Sequence, residues 1–368
     1  MIKISPYILL LALSITGCIK EPTKDSVRAD DFDRQSMLTN LTDNYIIPGY
    51  ANYKSKIDSL EVNWNSFKSN PDSIHLIDLK ISFENSLFAW QTIAFLEFGP
   101  ASSIALRAQT NVYPIDTVLI NGNINTGVTN LGSVSNYTGK GYQALDYLLF
   151  CKPSSTEQIT FLSDALESQY IEALILDLQT NASYVSNQWD SYKDTFIANN
   201  ASNAVGSAVS EMSNAIISHY ETFVRKGKIG LSLGIFNGFS QLPLPSHVEG
   251  LYSQANLKYS IKNVAFFLRF LNGNSFNENT EGIGLLDYAN FVEATVNGKL
   301  LSEEVNTQMN AIITYSQNIV GPWEYEVTNN PAIHLNLYQE YQKLMPLLKV
   351  DLTSAIGVSI SYQDNDGD

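Results

Sequence analysis

An all-α fold, with two helical bundles packed together, is what this 368-residue sequence predicts. Three observations carry the expectation. Apolar residues recur at alternating steps of three and four along several stretches, which is the period of a helix with one buried stripe. Runs alternating apolar and polar residues with period two, the mark of half-buried strands, are few. A polar, asparagine-rich junction at residues 199–203 separates two halves of similar style, and single cores stop growing at about 250 to 300 residues, so the chain has room for two.

Residues 1–17 read as a secretory signal: one charge, Lys3, then an apolar stretch over 7–13, then Ile15-Thr16-Gly17 before Cys18. The apolar stretch is too short to span a bilayer. A Cys directly after a small residue is written like a bacterial lipoprotein signal, in which that Cys becomes the acylated first residue. Cys18 is therefore expected to be a lipid anchor and residues 18–33 a polar tether, which places the protein at the cell envelope, on the outer membrane. Cys151 has no partner once the signal is removed, so no intramolecular disulfide is expected and stability must come from burial. A formal charge of −15 argues against nucleic acid and against an anionic membrane surface, since both would repel the chain.

The N-terminal bundle is expected over 34–198. Tyr50, Tyr53, Ile57, Leu60, Trp64 and Phe67 form one helical seam, which Asn70-Pro71-Asp72-Ser73 breaks. A second seam, Leu76, Leu79, Phe83, Leu87, Trp90 and Ala94, stops at Phe98-Gly99-Pro100, and the pair makes a helical hairpin. Periodicity then fails from 101 to 141. Residues 121–141 read as too polar and too broken by glycine for a packed helix, and a loop of this length is uncommon unless functional. Helices resume at Tyr142 and again after Ser154-x-x-Glu157, a capping box preceding Ile159, Leu162, Leu166 and Tyr170.

The C-terminal bundle is expected over 199–368. Val205, Val209, Met212, Ile216, Tyr220 and Phe223 give a seam ended by Lys226-Gly227-Lys228. A Gly- and Pro-rich loop runs to Pro245, where Ser246-x-x-Glu249 is expected to cap a helix carrying Leu257, Ile261, Val264 and Leu268 up to Asn272-Gly273. Further helices are expected over 285–296, 303–319 and 335–356. The shared style of the halves suggests an internal duplication, although no residue-by-residue repeat is visible.

Hydrolysis needs an activated nucleophile with its base, or a metal on three protein ligands with an open position. Neither is written here. There is no His-Glu-x-x-His, no Gly-x-Ser-x-Gly and no phosphate loop. Of the four histidines, His75 and His219 lie near helical seams and are expected to pack, His247 to be solvated, and His334 to serve a helix start. None has a second His or Cys at i+3 or i+4 that would raise the metal reading. The tail Asp364-Asn365-Asp366-Gly367-Asp368 imitates half a calcium loop but lacks the closing Glu, so it reads as an acidic terminus.

In the stretch Thr138-Gly-Lys-Gly-Tyr-Gln-Ala-Leu-Asp-Tyr-Leu-Leu-Phe150, Gln143 and Asp146 stand three apart on one helix face. This run resembles the signature helix of the imelysin-like family, bacterial cell-envelope lipoproteins first classed as metallopeptidases and linked to iron acquisition. Trp90-Gln91 leading to Phe98-Gly99-Pro100, Arg225-Lys226-Gly227-Lys228-Ile229-Gly230, and the stretch from Gly357 to the end agree in order. The resemblance implies a two-domain helical fold with the signature helix near the domain interface. It also implies a Gly-x-His-x-x-Glu motif, and here Gln143 replaces the His and Asp146 the Glu. A neutral amide oxygen is a poor ligand for zinc or iron, and Asp is one methylene shorter than Glu. The expectation is therefore a non-catalytic protein with no metal and no cofactor, binding a small ligand or an envelope protein. Its candidate binding residues are Gly141, Tyr142, Gln143, Asp146, Trp90, Glu97 and Arg107. Equally open is the reading in which Gln143 and Asp146 satisfy backbone groups. The alternatives are a metallopeptidase with its remaining ligands elsewhere and a scaffold with no small ligand.

Overall fold

The computed structural model describes residues 31–277 and 280–362; Cys18, the signal, nearly all of the tether and the acidic tail lie outside the described residues. The first half holds α1 (Arg34–Leu41), α2 (Ile47–Ser69), α3 (Ser73–Gln91), α4 (Pro100–Ser103), α5 (Leu106–Thr110), α6 (Thr117–Thr126), α7 (Gly141–Phe150), α8 (Ser155–Leu162) and α9 (Ala165–Ala198). The second holds α10 (Ala208–Ser218), α11 (Asn256–Leu271), α12 (Leu285–Phe291), α13 (Leu301–Gln317), α14 (Trp323–Asn329), α15 (Pro331–Pro346) and α16 (Thr353–Ile356). Among the described residues the strands are one short antiparallel pair, Thr295–Val296 with Lys299–Leu300. The fold is all-α.

Both long seams are buried as their spacing predicts. Every member of the first lies inside α2, which packs on α3 and α9. Asp72 caps α3 by accepting from the amides of Ile74 and His75, both at 2.9 Å. The helix ends at Gln91, earlier than the seam suggests, and turns carry Ala94 to Gly99. In the second half α11 packs on α13 and α13 on α15, while α3 and α11 touch across the halves. The buried apolar side chains form one continuous cluster through both.

Several expectations need correction. Residues 117–126 are helical, not loop. Asp116 caps the start, Gly127 ends it at φ +69°, and Ile120 and Ile124 are buried one turn apart. Asn123, a poor helix former, is buried with its amide donating to Asn136 and Tyr170, both at 3.2 Å. The Ser154 cap forms, but α8 stops at Leu162 and Asp164 caps a new helix, which leaves Leu166 in an exposed first turn. α9 runs unbroken to Ala198, directly before the polar junction at 199–203. Residues 246–249 cap nothing: they lie in turns, and α11 begins at Asn256 without a side-chain cap. The helix after α10 does not end at Lys226. It continues over His219–Gly230 with i→i+5 winding, a form that often marks functional sites.

Candidate functional site

α7 is fixed at its start by backbone crowding. Gly141 has φ +72°, and a Cβ there would lie 2.1 Å from the Thr110 carbonyl oxygen, so only glycine fits. The buried Lys140 ammonium beside it bonds Gln109 Oε1 at 2.6 Å and Asp177 Oδ2 at 2.8 Å, which ties α7 to α5 and α9.

The polar face that follows is already occupied by protein. Gln143 Nε2 donates to Asn111 Oδ1 at 2.8 Å, and Gln143 Oε1 accepts from the Gly250 amide at 2.8 Å. Asp146 accepts from the amides of Tyr252 at 2.8 Å and Ser253 at 3.1 Å, one on each carboxylate oxygen. Both side chains are buried. Burial pushes the Asp146 carboxyl up to about 6, against the pull of those donors. The free space beside the pair is about 10 Å³, room for one water at most. Trp90 and Tyr142 sit in the core around Tyr53, with ring centroids 5.6 and 6.4 Å from it.

Glu97 and Arg107 are brought together elsewhere, at a cavity of about 550 Å³ between the halves. Its walls come from α5 and the segment after it, from the end of α10 with the widened helix, and from Tyr362. The Glu97 carboxylate accepts the Arg107 backbone amide at 3.1 Å. The Arg107 side chain donates from Nη2 to the Ala94 carbonyl at 2.7 Å and from Nη1 to His219 Nδ1, and its guanidinium lies 4.0 Å from the Phe223 ring centre. A guanidinium can only donate. His219 Nδ1 is therefore the acceptor, and the ring proton is assigned to Nε2, which faces Asn263 Oδ1 at 3.2 Å. Burial first, then the Arg107 charge, hold this imidazole well below its usual pKa, so it is neutral. Burial raises the Glu97 carboxyl while Arg107 opposes the shift. The cavity thus carries a fixed cation beside a neutral imidazole and a carboxyl that resists ionising.

A buried polar chain runs from this cavity to α7. Lys228 Nζ contacts Glu249 Oε2 and donates to Gln91 Oε1 at 2.9 Å, and Gln91 Nε2 donates to Glu249 Oε1 at 2.7 Å. Asn111, on the cavity wall, donates to Glu249 Oε1 at 2.6 Å and receives Gln143. Burial lowers the Lys228 ammonium and the Glu249 charge opposes that. From the sequence Glu249 is expected to cap a helix, His219 to pack and Lys228 to end a helix, and nothing local marks Asn111. The available signal was a Lys, a Glu and a Gln in apolar or glycine surroundings, at Lys228, Glu249 and Gln91.

A metal does not suit the α7 face. Its oxygens already accept backbone N–H groups, and among the described residues no three His, Cys, Asp or Glu side chains gather as a metal site.

Comparisons with known proteins agree with this architecture. The family model for imelysin, a peptidase family by name, matches residues 46–348. No curated protein matches the chain. A solved structure described as an iron-regulated protein A precursor from Parabacteroides distasonis ATCC 8503 superposes with a TM-score of 0.71 at 14% identity, covering 91% of this chain and 97% of that one. An imelysin-like protein from Psychrobacter arcticum 273-4 gives 0.69 at 17%, covering 89% and 97%. At these identities the two structures establish the fold alone. The family match extends over most of the length, and this chain belongs to the imelysin family.

Proposed function

We propose that this imelysin-family protein is a non-catalytic binder at the cell envelope, lipid-anchored through Cys18. It takes a small ligand with an apolar body and an anionic end in the cavity between the halves. One observation carries the reading: the guanidinium of Arg107, buried and without a direct side-chain ion pair among the described residues, faces a cavity of about 550 Å³ whose walls include Ala108, Val112, Phe223 and Leu231. Small-molecule sites are commonly about 300 to 1,000 Å³, largely apolar, with a few fixed polar groups. Two of the guanidinium's five N–H groups are engaged by His219 and Ala94, which leaves donors for an anion. That a structural relative is described as iron-regulated supports an uptake setting linked to iron.

The test uses 8-anilinonaphthalene-1-sulfonate, an apolar anion that fluoresces when bound. Native protein is expected to bind it at one site, and Arg107→Met to weaken it by about tenfold, equivalent to about 1.4 kcal/mol. Phe223→Ala, which removes the ring lying against the Arg107 guanidinium, gives the same direction. Unchanged binding in both variants overturns the site. Stoichiometric zinc or iron together with peptide cleavage, both lost in Asp146→Ala, overturns the non-catalytic reading.

A further inference from the structure

A second cavity, about 300 Å³, lies where α2 and α3 meet α11 and the turn beyond it, and it shares no lining residue with the Arg107 cavity. Lys56 from α2 and Lys262 from α11 both face it. Neither ammonium has an ion-pair or hydrogen-bond partner among the described residues. The amides of Asn52 and Asn85, on the same walls, are without partners in the same sense. Lys262 is half-buried, with its Nζ 4.2 Å from the centre of the Phe266 ring. The Arg269 guanidinium lies 5.9 Å from the same ring and donates to the Ser275 carbonyl at 2.5 Å. Burial, then the Arg269 charge, lower the Lys262 ammonium.

Two lysines, Lys56 and Lys262, thus share this cavity without a carboxylate partner among the described residues. The chain has 37 Asp and Glu against 22 Lys and Arg, and elsewhere lysines such as Lys54, Lys68, Lys193 and Lys299 each reach a carboxylate. Like charges gathered at a concave, partly apolar surface repel one another, and a bound counter-charge relieves that repulsion.

We propose that this second cavity binds a small oxyanion of charge −2 or more, held between the ammonium groups of Lys56 and Lys262. The amides of Asn52 and Asn85 meet its remaining oxygens, and Phe88 and Phe266 flank its skeleton. A phosphate and a di- or tricarboxylate share this chemistry.

The experiment is calorimetric titration of the full chain with citrate and, separately, with inorganic phosphate, at ionic strength held constant with sodium chloride. At least one is expected to bind one-to-one. Citrate alone identifies a carboxylate ligand, and phosphate alone a phosphate. Lys56→Met and Lys262→Met, which keep the apolar stems, are each expected to weaken binding about tenfold. Lys343→Met, remote and exposed, leaves it unchanged, and so does Arg107→Met, which separates this site from the first. Should Lys262→Met fail to fold by circular dichroism, the exposed Lys56→Met alone decides. No heat with either anion, or equal binding in the lysine variants, overturns the proposal.

Discussion

Asp146 shows how a single buried carboxylate can hold two halves of a chain together and still be electrostatically uncomfortable. Its carboxyl titrates near 6 in the fold against an ordinary 3.8. A folded-state pKa raised above the unfolded value means the group's contribution is fully present below about pH 4 and is lost as pH rises through about 6. At about 1.4 kcal/mol per unit, the loss is about 3 kcal/mol. Urea midpoints of the native protein should carry that downward slope between pH 4 and 6.5, and Asp146→Asn should lack it. The amide of the variant accepts one of the two N–H groups and turns its own NH2 toward the other. At pH 4 it is therefore expected to be less stable by about 1 to 3 kcal/mol, with the gap closing as pH rises. Hydrogen exchange should accelerate at the amides of Tyr252 and Ser253. Gly141→Ala is expected to cost about 2 kcal/mol or more in a denaturant titration, from its positive φ and its contact with Thr110. The three-residue spacing made the shared face of Gln143 and Asp146 legible in the sequence. Their partners were not legible, because Gly250 lies 107 residues from Gln143 and no local pattern encodes that pairing.

Individual helices were readable to the extent that burial follows a regular period. α2 and the start of α3 emerged directly, since each has one apolar stripe and a polar break at its end. α6 did not, because two caps and the partners of Asn123 outweigh weak intrinsic propensity, and those partners are distant in sequence. The widened helix His219–Gly230 was also hidden. A change of winding places residues on faces that a 3.6-residue period misassigns, so Lys228 read as a helix stop when it is a buried cation. The Lys228–Glu249 pair couples this helix to the turns before α11. Lys228→Met or Glu249→Gln alone is expected to cost about 3 to 5 kcal/mol by stranding a buried charge. The double variant should cost clearly less than the sum, which a double-mutant cycle on urea midpoints will measure.

The whole molecule joins a proposed anchor to a body with one continuous apolar core. Cys18→Ser is expected to move the protein from the membrane fraction to the soluble fraction, because no described helix is long and apolar enough to cross a bilayer. The fold class came from composition and periodicity together. The cavity did not, because it exists only where the two halves face each other. The continuous core and the buried chain from Arg107 through His219, and from Lys228 through Glu249 to Gln143, cross that boundary. Swinging the halves apart would strand those charges in apolar surroundings. This receptacle therefore does not work as a jaw: small-angle scattering profiles with and without 8-anilinonaphthalene-1-sulfonate should superimpose. Movement for ligand entry is expected at side chains of the wall instead, such as Tyr362, whose hydroxyl donates to Glu221 at 2.7 Å.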